Sequence, residues 1–332
     1  MKVLVTGATG FIGSFVAEKL LAKGYTVRCI VRKTSNLRWL EGKNFEFIEG
    51  SLKDKASLEK AVEGVDYVYH IAGNTSAKNL DGYMKGNCEG TINLLEAVIS
   101  KAPNIKRFLY VSSQTASGPA LAADKPTEVD MPMNPITDYG ISKKQAEEAI
   151  HSYSKNYTGK LPFTIVRPPA VYGPRDTEIY SIFKMIKSGF IAYMGFNHKL
   201  VSIVHVDDLS DGIIAAAESN NTIGKTYFVS SEIFYDWKDV YQIMKQELGK
   251  KFVISIHLPH SLVLAAGAIS GFFGYFSKKP PVFNYQKGID FIQQYWICSV
   301  KKSTEDFGYR QKVSIEQGIA DTVKWYKDMK WL

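Results

Sequence analysis

Cysteine is scarce: Cys29, Cys88 and Cys298 are the only three in 332 residues. Three distant thiols exclude a disulfide-stapled miniprotein and match no metal-ligand spacing, so reduced thiols and no metal are expected. No leader with a basic start, an apolar stretch and a small-residue cleavage site precedes Val3-Leu4-Val5. A cytoplasmic location is therefore expected, with contact at the inner face of the membrane left open. No Lys/Arg run approaches a nucleic-acid-binding arm, although 41 basic residues against 33 acidic ones give a net charge of +8. An anionic cofactor or an anionic membrane surface is the expected counterpart of that charge, and nucleic acid is not. One stretch, Phe252 to Ser277, contains no Lys, Arg, Asp or Glu. Its continuous apolar part, Ser261–Phe276, is 16 residues, short of the roughly 20 that a spanning helix needs. Lys250-Lys251 and Lys278-Lys279 flank it, as they would flank a helix lying in a membrane interface; a buried helix of a small lobe is the alternative.

What is present is ordinary globular material, with 45% hydrophobic and 22% charged residues. Short apolar runs at Lys2–Thr6, Thr26–Val31, Phe45–Glu49, Tyr67–Ile71, Phe108–Ser112 and Phe163–Arg167 read as strands. Amphipathic stretches at Ser14–Lys23, Leu58–Val62, Cys88–Ser100 and Tyr139–Tyr157 lie between them. That alternation predicts an α/β fold with a doubly wound parallel sheet. Beyond Gly173 the rhythm loosens. Val201–Val206 reads as a strand and Asp208–Glu218 as a helix; after Tyr227–Ser230 the chain is mostly helical. The layout predicts a nucleotide-binding domain over 1–173, rejoined by 200–230, and a smaller, mostly helical substrate lobe over 174–199 and 231–332.

Thr6-Gly7-Ala8-Thr9-Gly10-Phe11-Ile12-Gly13 follows the first strand and opens a helix. Glycine there permits a tight turn and close approach of backbone to a pyrophosphate. The helix N-terminus supplies oriented N–H groups. Gly7, Thr9, Gly10, Phe11, Ile12 and Gly13 are thus candidate dinucleotide contacts. With the marks that follow in order, the chain resembles an extended short-chain dehydrogenase/reductase. These are His70-Ile71-Ala72-Gly73, Asn87 in Gly86-Asn87-Cys88-Glu89-Gly90-Thr91, Val111-Ser112-Ser113, Tyr139-Gly140-Ile141-Ser142-Lys143, Arg167-Pro168-Pro169-Ala170-Val171-Tyr172-Gly173-Pro174 and Val204-His205-Val206-Asp207-Asp208. The resemblance covers nearly the whole chain. It implies a Rossmann-type sheet and adds Ile71, Ala72, Gly73, Asn87, Pro168 and Val171 to the cofactor contacts, with His70 packed beneath the cofactor or acting as a base. It also implies that His205 and Asp207 hold the two lobes together.

The second strand ends Ile30-Val31-Arg32-Lys33. An acidic residue at this place would hold a free ribose 2′-hydroxyl. Val31 stands there instead, and Arg32 and Lys33 follow, so NADP(H) is favoured over NAD(H). Ser51 and Leu52 stand where the family carries an acidic or amide residue beside the adenine, which leaves that contact in doubt.

Tyr139 and Lys143 are four apart and share a helix face. A nearby ammonium favours a phenolate, so Lys143 is expected to draw the Tyr139 hydroxyl toward a working pKa. The resemblance places Ser113 against the carbonyl oxygen, and Thr115 two residues on as a further substrate contact. Asn87 is read as a brace or a relay. Asp207 and Asp208 are also read as capping the helix that follows them.

Related nucleotide-sugar dehydratases carry an acidic pair after the catalytic hydroxyl; here Gln114-Thr115-Ala116 follows Ser113. Water elimination therefore lacks its acid and base. A nucleotide-sugar epimerase with tightly held NAD stays open, although the approach to Val204 is apolar where such relatives are polar. Nine aromatics fall in the 39 residues from Leu258 to Trp296. This richness, with the chain's ending, looks like the branch of sterol dehydrogenases, dihydroflavonol reductases and keto-lipid reductases. Reduction of a ketone on a bulky apolar substrate, sphingoid-like or sterol-like, is the expected activity, with Tyr172, Phe183, Tyr193 and Phe272 as candidate substrate contacts. A homodimer is common among such relatives.

Overall fold

The computed structural model describes residues 1–157, 159, 161–276, 281 and 283–332. Seven strands form one sheet, every neighbouring pair parallel. From one edge to the other they are Lys225–Phe228, Phe163–Arg167, Arg107–Val111, Tyr67–His70, Lys2–Thr6, Thr26–Val31 and Glu46–Glu49. The first strand is central because its residues suit burial on both faces: Val3, Leu4 and Val5 are all fully buried. Side chains alternate, so Val3 and Val5 pack with Val16 and Leu20 of helix Phe11–Ala22 and with Leu209 and Ile213 of helix Val206–Glu218. Leu4 faces the opposite layer, with Leu58, Leu94, Leu95 and Ile150. Two helical layers on a doubly wound parallel sheet make this a Rossmann-type α/β fold. The order of its strands reverses beside Lys2–Thr6, and their C-terminal ends open there into the crevice that such sheets use for ligands.

A third core is built around Phe183, Ile191, Val240, Met244, Ile319 and Val323 and also takes in Tyr172 and Ile203. Its helices include Tyr180–Lys187, Trp237–Glu247 and Ile315–Asp328, and the parallel pair Phe190–Met194 and Ile254–Leu258 lies beside them. The single strand expected at Val201–Val206 is two. Leu200–Val201 pairs with Tyr235–Asp236 and Tyr295–Trp296, whereas Ile203–His205 pairs with Ala170–Tyr172. Ser202 makes the break: its N–H donates to the Trp296 carbonyl (2.7 Å) and its hydroxyl accepts from Cys298 N–H (3.0 Å). Among the described residues no helix is long and apolar enough to cross a membrane.

Helix Asp138–Asn156 starts where Thr137 Oγ1 accepts from Gly140 N–H (3.3 Å). Its position is fixed one turn beyond Lys143, where Glu147 is fully buried. Arg167, last residue of its strand, donates to Glu147 through Nε (2.9 and 3.2 Å) and Nη2 (2.6 Å). Ser112 donates to the same carboxylate, and Arg167 Nη1 donates to Ser117 Oγ (3.0 Å). Removing one partner of such a pair leaves the other charge buried and unmet. Glu147→Gln should therefore cost about 3–5 kcal/mol of unfolding free energy, read by denaturant titration. A loss under about 1 kcal/mol, the range of exposed pairs, would show that the pair does not hold the helix.

Candidate active site

The glycine turn is sterically enforced. Gly7 has φ +76°, and a Cβ there would lie 2.7 Å from the Ala72 backbone N. A Cβ on Gly13 would lie 2.1 Å from the Gly7 carbonyl oxygen. Gly10 caps helix Phe11–Ala22 in extended conformation, with no side chain on the first N–H groups and no acid in the first turn. Bare N–H groups at a positive helix end suit an anion. Thr9 and Phe11 flank them, half-buried. Ile12, Ile71 and Val171 come together as part-buried hydrophobics on one core. Pro168 accepts from Gln114 N–H (2.8 Å), which ties the two loops of the crevice.

Beneath this floor His70 is fully buried between Thr6 Oγ1 (2.8 Å) and Thr91 Oγ1 (2.9 Å). Thr91 donates to the Asn87 carbonyl (2.6 Å), so it accepts from His70 Nε2–H; Nδ1 then accepts from Thr6, whose oxygen receives Ala72 N–H (3.2 Å). Burial, with the Lys143 charge adding to it, pushes the imidazole down to about 3. It stays neutral, and with both ring nitrogens engaged it supports the turn. Asn87 is a brace. Its Oδ1 accepts from Asn74 N–H (2.7 Å), and its Nδ2 donates to the Asn74 carbonyl (3.1 Å) and to Ser142 Oγ (2.9 Å). It sits in a π-helical turn, Met84–Glu89, which periodicity had not indicated. Gly73 lies against it: a Cβ there would be 3.1 Å from Asn87 Oδ1 and 3.3 Å from Lys143 Nζ. The turn, the bare helix end and this glycine floor fit a dinucleotide.

Arg32 and Lys33 are exposed just past their strand. Neither makes an ion pair among the described residues. Ser51 is occupied locally: its N–H donates to Ser57 Oγ (3.2 Å) and its hydroxyl accepts from Lys53 N–H (3.4 Å). Leu52 holds Asn93 Nδ2 through its carbonyl (2.8 Å).

Ser113, Tyr139 and Lys143 come together at the end of strand Arg107–Val111. Ser113 Oγ accepts from Thr115 N–H (3.2 Å) and Thr115 Oγ1 (2.9 Å) and lies beside the Tyr139 phenol, whose pKa it lowers. Two acceptances leave Ser113 its own proton to donate. Thr115, expected on the substrate, bonds to Ser113. Lys143 Nζ donates to the Val111 carbonyl (2.9 Å) and Tyr110 hydroxyl (3.2 Å) and stands 4.7 Å over the Tyr110 ring. Burial raises the Tyr139 pKa, the Glu178 carboxylate adds to this, and Ser113 only partly opposes them. Burial also lowers Lys143, to about 8, against the pull of Glu147.

The lobe contacts need correction. Tyr172 and Phe183 are buried within the third core, at 2% and 0% exposure. Tyr172 packs its ring against His205 (5.2 Å) and its hydroxyl end against Gly318. They build the lobe and cannot touch a substrate. Tyr193 is half-buried and stacked on His257 (4.9 Å). Phe272 stands exposed on helix His260–Tyr275, its ring neighbours being Phe273 and Phe276. His205 caps helix Val206–Glu218 by accepting from Asp207 N–H (3.3 Å), in place of Asp207 or Asp208. Asp208 instead receives Lys312 N–H (3.1 Å) and Val313 N–H (3.0 Å), joining the C-terminal segment to that helix.

Sequence reading missed the groups around the phenol. The Tyr83 ring lies 5.9 Å from that of Tyr139. Helix Tyr285–Ile292 meets the catalytic helix where Gln286 Oε1 accepts from Asp138 N–H (3.2 Å). On it, Lys287 pairs with Glu178 (3.2 Å), and burial raises Asp290 to about 6. None belongs to a motif; tertiary packing alone assembles them. Arg175 was also missed. At φ 75° it reaches from the lobe to Ser14 Oγ (2.9 Å) and to both Glu18 oxygens (3.0 Å each). Among the described residues no group of three metal-type side chains occurs.

Residues 3–230 match the model of the NAD dependent epimerase/dehydratase family. The chain is 26% identical to a ceramide reductase of Caulobacter vibrioides, over 99% of this chain and 96% of that protein. It is also 26% identical to a putative UDP-glucose 4-epimerase of Methanocaldococcus jannaschii, covering 98% of each. The UDP-glucose 4-epimerase structure from Thermotoga maritima superposes with a TM-score of 0.80 at 24% identity, covering 99% of this chain and 100% of that one. The glycine turn, the sheet and the gathered hydroxyls agree with that match, and the chain belongs to the NAD dependent epimerase/dehydratase family, an enzyme family that works on hydroxyl and ketone carbons.

Proposed function

We propose that this protein is an NADPH-dependent reductase of a ketone carried on a bulky, apolar, lipid-like substrate. The observation that carries the reading is the gathering of Ser113, Tyr139 and Lys143 at the end of strand Arg107–Val111, beside the glycine turn. A protonated phenol beside a hydroxyl donor is equipped to give a proton to a carbonyl oxygen. Gln114 and Thr115 supply no acid–base pair for elimination. Similarity to a ceramide reductase along almost the whole length supports a lipid-like ketone. Arg32 and Lys33, uncommitted cations beyond Val31, support a 2′-phosphate.

When bound, the reduced nicotinamide supplies a hydride to the carbonyl carbon, which becomes an alcohol as the cofactor is oxidised. Ser113 orients the carbonyl oxygen by donating to it. Tyr139 delivers the proton to that oxygen. Lys143, anchored on Val111 and Tyr110, would hold the cofactor's ribose with its ammonium. Gly7, Gly10 and Gly13 admit the pyrophosphate to the helix end.

A second reading, epimerisation of a nucleotide sugar, draws on the full-length similarity to a putative UDP-glucose 4-epimerase. The two separate by stoichiometry. A reductase consumes one NADPH per ketone supplied; an epimerase retains its dinucleotide and shows no net oxidation. A panel of long-chain keto-lipids, sterol ketones and UDP-sugars, followed by NADPH absorbance and product analysis, decides between them.

Three outcomes are expected. Tyr139→Phe should lower kcat about 10²–10⁴-fold and leave NADPH affinity nearly unchanged; parental turnover would show that the acid is another group. Arg32→Asp should shift the NADPH/NADH preference by about tenfold or more, since a charge-assisted contact contributes about 1.5–3 kcal/mol. Unaltered preference would place the 2′-phosphate elsewhere. Lys143 titrates at about 8. Its ammonium is complete below that pH and lost above it, so kcat/KM for reduction should fall as pH rises through 8. A flat profile to pH 9.5 would remove the ammonium from the mechanism.

A further inference from the structure

Helix His260–Tyr275 has no charged residue, yet it lies on the outside of the protein. A surface helix of a water-soluble domain normally turns a polar face outward. Here the buried side is narrow: Val263, Gly267 and Gly274. The two glycines let the following segment run close, since a Cβ on Gly267 would meet the Asn284 carbonyl at 2.8 Å and one on Gly274 would meet Pro281 at 2.4 Å. Ser270 donates to the Phe283 carbonyl (2.7 Å) on the same side. The rest of the helix faces water with Leu262, Ile269 and Phe273 exposed by 56%, 60% and 69%.

The apolar surface continues onto the small sheet that leads into this helix. Ile254 pairs with Phe190, and Ile256 lies two residues on, so all three project from one face, and all three are exposed. Of the 21 exposed large hydrophobic residues among the described ones, 12 fall in 190–196 and 252–291. Such concentration marks an interaction surface; scattered exposure would not.

Cations gather where these strands begin. Lys187, Lys250 and Lys327 line a cavity of about 330 Å³ together with Leu248, Gly249 and Leu332. Lys251 precedes the exposed Phe252. None of these four lysines makes an ion pair among the described residues. The expected second flank, Lys278-Lys279, lies outside the described residues. Residues 187–196 and 250–276 contain no Asp or Glu. A second copy of the chain would bring the same acid-free apolar strands and helix, with carboxylates only at the cavity margin, Glu247 and Asp328. Phospholipid headgroups supply the anion, and acyl chains accept the aromatic and aliphatic side chains.

We propose that the lobe docks on an anionic phospholipid bilayer, with helix His260–Tyr275 lying in the boundary between headgroups and acyl chains and the lysine cluster on the phosphates. The docking stands on the surface alone. Its consequence, uptake of the ketone sideways from the bilayer, rests on the reductase reading. Helix Tyr285–Ile292 packs on the docking helix and reaches the catalytic helix through Gln286, so one helix separates lipid from the Tyr139 phenol.

Vesicle flotation tests the docking. The parent protein should float at low salt with vesicles of phosphatidylcholine and phosphatidylglycerol, and less with phosphatidylcholine alone. Ile269→Glu combined with Phe273→Glu should lower the bound fraction at least tenfold. Lys187→Glu combined with Lys250→Glu should abolish the preference for anionic vesicles. Circular dichroism and turnover of a short-chain, water-soluble ketone report that each variant is folded. The proposal falls if the parent stays at the bottom, or if the Ile269/Phe273 variant floats as well as the parent. It falls equally if light scattering shows a parent dimer that this variant splits without any flotation by the parent. A parent that floats but reduces no ketone keeps the docking and loses the reductase.

Discussion

Glu147 and Arg167 lie out of water where helix Asp138–Asn156 crosses the end of strand Phe163–Arg167. Desolvating two ions costs several kcal/mol each, and attraction offsets this only when the remaining polar atoms are met. Here they are, by Ser112 on the carboxylate and Ser117 on the guanidinium. The geometry admits one rotation of the helix about its axis. With Glu147 fixed, Lys143 one turn earlier must point at the strand end, and Tyr139 a turn before that must stand beside Ser113. Ser112 takes part in the same cluster, so the clamp also sets the loop that carries Ser113. Catalytic geometry is thus inherited from an ion pair that touches no reactant.

The charge balance around the phenol follows from the same clamp. Lys143 is committed to Val111 and Tyr110, which holds its charge over the strand end. Burial then dominates at Tyr139, and the nearby Glu178 and Asp290 reinforce it. His70, neutral in its hydroxyl chain, contributes no competing charge under the floor.

Features fixed by neighbours in the chain were legible beforehand. Lys2–Thr6, Thr26–Val31 and Phe163–Arg167 have the bounds their apolar runs indicate, and the glycine spacing marks the turn that Gly7 and Gly13 require. Features fixed by distant packing were not. Four-residue spacing put Tyr139 and Lys143 on one face correctly, but it could not say which acceptor a long lysine would choose. Tyr172 and Phe183 looked like substrate contacts because aromatic residues suit apolar ligands. They suit an apolar core equally, and only the closing of helix Ile315–Asp328 over them distinguishes the two. Tyr83, Glu178 and Asp290 approach Tyr139 from three separate segments, so no local pattern could reveal them.

The lobe presents the opposite problem, since its apolar excess was plain in the sequence and its destination was not. An uncharged stretch between lysines is compatible with a core helix or with an interface helix. The difference lies in what glycine does there. Gly267 and Gly274 let helix His260–Tyr275 approach the next segment so closely that packing uses only a thin strip of its circumference. A helix with leucine or isoleucine at those places would stand farther off and spread its contact over more side chains. Close approach on one side therefore leaves the bulky residues on the other without protein to cover them. The same two glycines bring helix Tyr285–Ile292 up against the exposed helix, and that second helix carries Asp290 toward the phenol. The apolar surface and the catalytic crevice are in this way two sides of a single helix pair, set apart by little more than the width of one helix.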